Sequence, residues 1–377
     1  MQHWQEAQAV IQTLKTNGYE AYVVGGAVRD LLLQRPVADI DIVTTAKPND
    51  VSQIFSSVHQ LNTEHQTILV KVKGILFEVT TIKGSSLEED LKARDLTINS
   101  LALNEKEELV DLVNGKQDLS LKLLRSVEPE RRMTEDPLRM LRVFRFVSEL
   151  GFVIDEQLLN TINKHRGAVK EIAIERVVKE WLKLIKGSYR NDSLTLMQKA
   201  KLHHSLPGLR LTSIGIQKLS MLRSLAGQSE IVCWTAYCIC MGHEDEKPLK
   251  RLALSNQIQR AVKLRMKFYK LRLEKSWTPF ELYNATLNVA LDVENLRFLF
   301  NLTSISKDNV SSMWTSLPIQ SRTELAITGS DLLRITRKEQ GPWIRDALNQ
   351  AERLVVTGEC PNSIEDLIKA LRRCEQC

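Results

Sequence analysis

Residues 21–43 read AYVVGGAVRDLLLQRPVADIDIV, an apolar strand, a Gly-Gly turn, the opening of a helix, a Pro-containing turn and a second strand. Gly25 and Gly26 permit a sharp turn and bring backbone N–H groups to an anion at the helix start, with Arg29 one turn further in. By itself, Gly-Gly after a strand describes no more than a tight strand-to-helix turn. Asp39 and Asp41 add chemistry to it. Alternate residues of a strand share a face, so these carboxylates point one way while Ile40 and Ile42 point into a core. Two adjacent anions repel unless a cation lies between them, and oxygen donors of this kind suit Mg²⁺, which completes its octahedron with nucleotide phosphates.

Working outward, short β-branched or alternating runs recur at Tyr22–Val24, Asp39–Val43, Thr67–Lys73, Ile75–Ile82, Leu101–Leu103 and Leu109–Val113, with Gly74 as a hairpin turn. Glu78 alternates with Phe77 and Val79, and reads either as a third carboxylate on the Asp39/Asp41 face or as an ordinary outward-facing acid. Beyond about residue 128 the strand signals fade, and apolar residues return at helical spacing through 138–148, 172–185, 192–204, 255–273 and 345–356. The fold expected is α+β: an N-terminal mixed α/β head with a small sheet, followed by an all-helical remainder.

The 377 residues are 43% hydrophobic and 26% charged, which excludes a disordered, collagenous or membrane-embedded chain, and the length suggests two or three domains, or one compact domain followed by an extended helical array. A formal net charge of +6 mildly favours an anionic partner. No apolar run is long enough to span a bilayer and the N-terminus lacks a basic-then-apolar leader, so a cytoplasmic location and no membrane partner are expected. The six cysteines all fall in the second half; free thiols are expected, and the Cys374/Cys377 spacing lacks the other two ligands of a zinc knuckle. His59, His65, His203 and His204 form no catalytic pattern. From Lys250 to Lys275 nine basic residues face one acid, Glu274, with Phe268 and Tyr269 among them. Such a stretch either grips a phosphate backbone, through Lys263, Arg265, Lys267, Lys270 and Arg272, or is a solvated helix face.

Two further segments carry polar patterns. In LKARDLTINSLALN (91–104), Arg94 and Asp95 precede a strand-like run and Asn99 lies four residues on, a spacing that also suits a turn or helix cap. In RRMTEDPLRMLRVFRFVSELGF (131–152), Pro137 fits a first helical turn and Asp136 an N-cap, while Arg139, Arg142 and Arg145 recur at three-residue steps along one side of a helix. Three stacked cations call for anions, from a triphosphate, an RNA backbone or an acidic partner.

These motifs together resemble the class II tRNA nucleotidyltransferases, within the DNA polymerase beta nucleotidyltransferase superfamily. The resemblance rests on GGAVRD (25–30), DID (39–41), RDLTINS (94–100), EDPLR (135–139) running into MLRVFRF, and IERVVKEWLKLI (174–185), in the family's order. It implies a catalytic head over 1–127, a helical neck carrying a nucleotide-template helix over 128–205, a body over 206–315 and a tail over 316–377, the last two binding tRNA. It further implies that Asp39 and Asp41 hold Mg²⁺ in a two-metal reaction, with Glu78 a possible third ligand. Gly25, Gly26 and Arg29 would lie at the nucleotide phosphates, Arg94 against the nucleotide, and Asp95 and Asn99 near its ribose. Glu135, Asp136 and Arg139 would form the base-reading motif, supported by Arg142 and Arg145. Cytosine's N4 donor beside its N3 acceptor complements a carboxylate and a guanidinium, whereas uracil would aim O4 at Asp136; adenine fits the same pair as cytosine.

In one place the chain departs from the family pattern. Between Lys83 and Arg94 there are only the ten residues GSSLEEDLKA, where complete CCA-adding relatives carry a longer flexible segment, and Ala93 replaces a common arginine. The resemblance is therefore to the CC-adding type, which uses CTP to add two cytidines to a tRNA lacking its 3′ CCA end and leaves the terminal A to a separate A-adding enzyme. A complete CCA-adding enzyme and a catalytically silent tRNA-binding protein are the alternatives.

Overall fold

The structure, a computed structural model, describes residues 3–37, 39–62, 66–243, 247–303 and 307–374; His65 and Cys377 lie outside them. Two compact units divide at Arg210/Leu211.

The first unit opens with α1 (Trp4–Thr16), β1 (Ala21–Val24), α2 (Gly26–Leu32), β2 (Asp41–Thr44), α3 (Pro48–Ile54), β3 (Val58–Asn62), β4 (Thr67–Val72), β5 (Ile75–Thr81), α4 (Leu87–Lys92), β6 (Leu101–Leu103) and β7 (Leu109–Asp111). The strands form one seven-stranded sheet in the order β3-β4-β5-β2-β1-β6-β7. Every neighbouring pair is antiparallel except β2 and β5, which run parallel and set Asp41 opposite Glu78. The β4–β5 hairpin turns through Lys73 and Gly74, at φ 49° and 87°, the left-handed pair whose twist matches that of the flanking strands.

Two expectations are corrected here. The second strand begins at Asp41, not Asp39. Its partner β1 ends at Val24, which pairs with Asp41, and the chain then turns away at Gly25, so nothing on that side remains for Asp39 to pair with. The strand Val58–Asn62 was not expected; VHQLN shows little alternation because it is an edge strand with one neighbour.

The unit continues through α5 (Gly115–Leu121), β8 (Leu123–Leu124), α6 (Pro129–Glu135), α7 (Leu138–Leu150), β9 (Val153–Ile154), α8 (Glu156–His165), α9 (Ile174–Lys186) and α10 (Arg190–Lys199). Helix α9 buries Val177, Val178, Trp181, Leu184 and Ile185 along one side, each fully buried side chain contributing about 1.5–3 kcal/mol. Helix α7 is apolar around most of its circumference, burying Met140, Leu141, Val143, Phe144 and Val147. Its arginines therefore occupy a narrow polar strip.

The second unit is helical among its described residues: α11 (Ser213–Met221), α12 (Glu230–Cys240), α13 (Asn256–Glu274), α14 (Pro279–Ala285), α15 (Leu287–Leu299), α16 (Lys307–Thr315), α17 (Gly329–Thr336), α18 (Trp343–Val356) and α19 (Ile364–Cys374). Cys233, Cys238, Cys240 and Cys360 are buried. No helix among the described residues is long and apolar enough to cross a membrane.

Candidate active site

A cavity of about 610 Å³ opens beside the central strands β1, β2 and β5, within the range of small-molecule sites. Asp39, Asp41 and Glu78 line its floor, with Ile40 and Ile42 buried beneath. Burial pushes the Asp41 carboxyl above its ordinary range; the Glu78 charge adds to that, Arg94 opposes it, and Asp39 raises it further. Three acids that repel one another around a partly dehydrated carboxylate form a donor set that a divalent cation would relieve. Among the described residues no three His, Cys, Asp or Glu side chains form a metal cage by themselves. The Asp39 and Asp41 carboxylates fit Mg²⁺, which is held by one or two carboxylates and takes its remaining oxygens from water and substrate phosphates.

Gly25, at φ 76°, turns the chain from β1 into α2. Its N–H is spent on the Leu101 carbonyl at 3.2 Å, so it is not one of the bare donors expected at the helix start. What Gly25 provides is space. A Cβ there would sit 3.1 Å from Arg94 Nη1 and 3.8 Å from Asp41 Oδ2.

Arg29, Asn99, Asp95 and Arg142 line the same cavity, joined in a relay of hydrogen bonds. Arg29 Nη1 donates to Asn99 Oδ1 at 2.7 Å, Asn99 Nδ2 to Asp95 Oδ1 at 3.1 Å, and Arg142 Nε to Asp95 Oδ2 at 2.8 Å. Burial raises the Asp95 carboxyl, but the Arg142 charge, the bonds from Asn99 and Arg142 and the Arg139 charge outweigh it and hold the group down at about 2. Arg142 also lies 3.6 Å from Glu180 Oε1, and Arg145 Nε lies 2.6 Å from Glu180 Oε2, an ion pair whose angle falls outside hydrogen-bond geometry. Arg145 bonds Glu149 as well. Arg29, Arg142 and Arg145 all approach the Phe146 ring, Arg145 closest at 4.0 Å. Of the anions that the three arginines call for, Arg142 and Arg145 thus meet theirs inside the protein, in Asp95, Glu180 and Glu149.

Asp136 and Arg139 lie at the other wall. Asp136 Oδ1 accepts from Leu138 N–H at 3.2 Å from one position before the N-cap, which is Pro137 and not Asp136 as expected, while Oδ2 pairs with Arg176 at 2.7 Å. Arg139 Nη1 donates to the Ala93 carbonyl at 3.1 Å. Glu135 does not line the cavity; its carboxylate is engaged by Arg131 at 2.8 Å and Arg132 at 2.7 Å, which holds it below the ordinary carboxylate range against the opposing effect of burial.

Sequence reasoning passed over Arg176, Glu180 and Lys183, of which Arg176 and Lys183 line the cavity. All three fall within IERVVKEWLKLI at spacings of four and three, one helical face, which is the signal that would have found them. It also passed over Lys83 and Asp90, which line the cavity from the short connection.

In the second unit the basic stretch divides. Arg265 is buried and bonds Asp292 at 2.7 Å, and Arg272 bonds Glu294 at 2.8 Å, so both tie α13 to α15. Phe268 and Tyr269 are core residues, not surface stacking platforms. Lys263, Lys267 and Lys270 are exposed, at spacings of four and three along one face. His203 is buried, and His59 and His204 are exposed.

Three family models match the chain: "Poly A polymerase head domain" over 21–125, "Probable RNA and SrmB- binding site of polymerase A" over 151–211 and "tRNA nucleotidyltransferase domain 2 putative" over 226–371. The CC-adding tRNA nucleotidyltransferase of Shouchella clausii is 40% identical over 363 aligned positions, 96% of each chain. The CCA-adding enzyme of Bacillus mycoides is 34% identical over 394 positions, 99% of each chain. The crystal structure of the Bacillus stearothermophilus CCA-adding enzyme in complex with CTP superposes with a TM-score of 0.95 at 34% identity, covering 100% of this chain and 98% of that one. An α+β head with this cavity, and relatives of this identity along nearly the whole length, place the chain in the tRNA nucleotidyltransferase family, the family of the CC-adding and CCA-adding enzymes.

Proposed function

We propose that the protein is a CC-adding tRNA nucleotidyltransferase, transferring two CMP units from CTP to the 3′ end of a tRNA lacking CCA, with release of pyrophosphate and no nucleic-acid template. The observation that carries the CC reading is the overall length of the chain against its relatives. The match to the Shouchella clausii relative leaves almost no room for insertions, whereas the match to the Bacillus mycoides enzyme runs to 394 positions, more than the 377 residues present here. A CCA-adding relative therefore carries residues that have no counterpart in this chain. The family resemblance puts that shortfall at the ten-residue connection between Lys83 and Arg94, which is folded around α4.

In this reading Asp39 and Asp41, with Glu78 beside them, would hold Mg²⁺, which when bound would supply a lower pKa for the primer hydroxyl and positive charge for the departing pyrophosphate. Arg94 and the Gly25–Gly26 turn lie at the phosphates. Asp136 accepts from the cytosine amino group, and Arg139 donates to its N3 or O2. Arg29, Asn99, Asp95, Arg142 and Arg145 keep the walls of the site in register. The head and neck carry the chemistry over 1–127 and 128–205; the body and tail, 206–315 and 316–377, hold tRNA, with Lys263, Lys267 and Lys270 as phosphate contacts. A cytoplasmic enzyme of this kind needs a separate A-adding activity to finish its product.

The test is incubation of the purified protein and Mg²⁺ with tRNA lacking CCA and with labelled CTP or ATP. Two C additions and no A are expected. The high TM-score to a CCA-adding enzyme favours the second reading, complete CCA addition, and a terminal A in the product would establish it. RNA binding without incorporation would establish a silent tRNA-binding protein.

A further inference from the structure

The ten-residue connection is more than a shortened loop. Ser86 caps α4, accepting from Glu89 N–H at 3.3 Å, and Leu87 and Leu91 enter the core cluster beside Val24, Val43 and Ala102, directly beneath the cavity. On the same short helix Asp90 is 4% exposed. Its Oδ1 accepts from the Lys83 N–H at 3.0 Å, and its Oδ2 accepts from Arg94 Nε at 3.2 Å and Nη2 at 3.0 Å. The third guanidinium nitrogen, Nη1, is the atom that lies over the empty side of Gly25, near Asp41. One residue earlier, the Ala93 carbonyl is held by Arg139. A buried carboxylate costs free energy unless fully partnered, and here its main partner is the arginine whose charge acts on Asp41.

We propose that Asp90 is a positioning residue of the nucleotide site: it orients Arg94 so that Nη1 faces the Gly25 turn and Asp41, making the short connection a wall of the site. Two of the three guanidinium nitrogens are taken by Asp90, so the direction of the third is set by α4. Because Leu87 and Leu91 are locked in the core and Ala93 is tied to Arg139, Arg94 meets every incoming triphosphate in one geometry. The inference rests on the nucleotide-site reading given above, not on the number of residues added.

The test uses the full chain with Mg²⁺. CTP binding is measured by titration calorimetry without RNA, then KM and kcat on tRNA lacking CCA, for wild type, Asp90→Asn, Arg94→Ala and the double variant. Asp90→Asn is expected to weaken CTP binding and raise KM about tenfold, a typical loss for a charge-assisted bond, with kcat changed less than about threefold. The double variant is expected to bind no more weakly than Arg94→Ala, because Asp90 acts through Arg94. Wild-type affinity in Asp90→Asn, or losses that multiply in the double variant, would overturn the assignment. If Asp90→Asn does not fold, Asp90→Glu, which keeps the charge and displaces it by one methylene, takes its place in the same cycle. Product length on a gel is read separately: a terminal A from wild type defeats the CC reading and leaves the cycle intact, and a failed cycle with two-C products defeats only this inference.

Discussion

Asp95 and Arg142, 47 residues apart in the chain, meet on a single carboxylate oxygen: Arg142 Nε donates to Asp95 Oδ2 at 2.8 Å and Nη2 lies 2.7 Å from the same atom. This pair joins the segment after α4 to α7, which carries Arg139 and starts just after Asp136, and in the proposed reading it sets the distance between the phosphate side and the base side of the site. The Asp95 carboxyl, at about 2, lies below its ordinary 3.8. A depressed acid stabilises the fold above its unfolded pKa and loses that contribution as pH falls through the folded value. Asp95→Asn is therefore expected to cost about 2 kcal/mol at pH 7, with the gap to wild type closing between about pH 4 and pH 2. Urea unfolding across that range measures it; an equal gap at both ends would remove the pair from the stability account.

Asp41 has the opposite sign. Burial and the Glu78 charge raise its pKa, so in metal-free protein the ionised form opposes folding at neutral pH. Asp41→Asn is expected to melt higher than wild type without Mg²⁺ and to lose activity on the order of a thousandfold. In metal-free protein the Asp41 carboxyl is expected to titrate above the ordinary carboxylate range, and added Mg²⁺ to pull it down, which NMR titration of that carboxyl checks. A lower melting temperature for Asp41→Asn would refute the repulsion argument.

Asp136 faces the cavity with one oxygen on the α7 backbone and the other on Arg176. Asp136→Ala is expected to lower the preference for CTP over UTP about tenfold to a hundredfold, the value of one well-made base contact. Competition kinetics with the two nucleotides checks this, and unchanged discrimination would move base reading elsewhere.

The basic helix α13 supplies a contrast between neighbours. Lys267→Ala is expected to weaken tRNA binding and reduce the salt slope by about 1, leaving thermal stability unchanged. Arg265→Ala breaks the contact with Asp292 and is expected to cost about 2 kcal/mol of stability. If Arg265→Ala melts like wild type while Lys267→Ala does not, the division of this helix into a tie and a binding face is wrong.

Much of the fold was legible because its signals are local. The alternation of Ile40 and Ile42 with Asp39 and Asp41 needs only the period of extended chain, and the spacing of Arg139, Arg142 and Arg145 needs only that of a helix. Pro137 and Asp136 marked the start of α7 to within a residue. The edge strand β3 was not legible, because one-sided pairing leaves no clear pattern. Arg265 and Lys267 could not be told apart either: both are basic residues on one helix, and only the position of Asp292 on α15 decides which is buried.

The sequence by itself determined which elements form and which residue types each face presents, since periodicity and turn chemistry act over a few residues. It also determined how few residues join Lys83 to Arg94. Tertiary structure alone decided how the charges are shared: that Arg29, Arg142 and Arg145 are partnered by Asn99, Asp95 and Glu180, that Gly25 leaves room for Arg94, and that Asp90 aims it. A buried charge is stable only beside its partner, and partners brought together from distant segments by the packing of a sheet against helices leave no trace in local spacing.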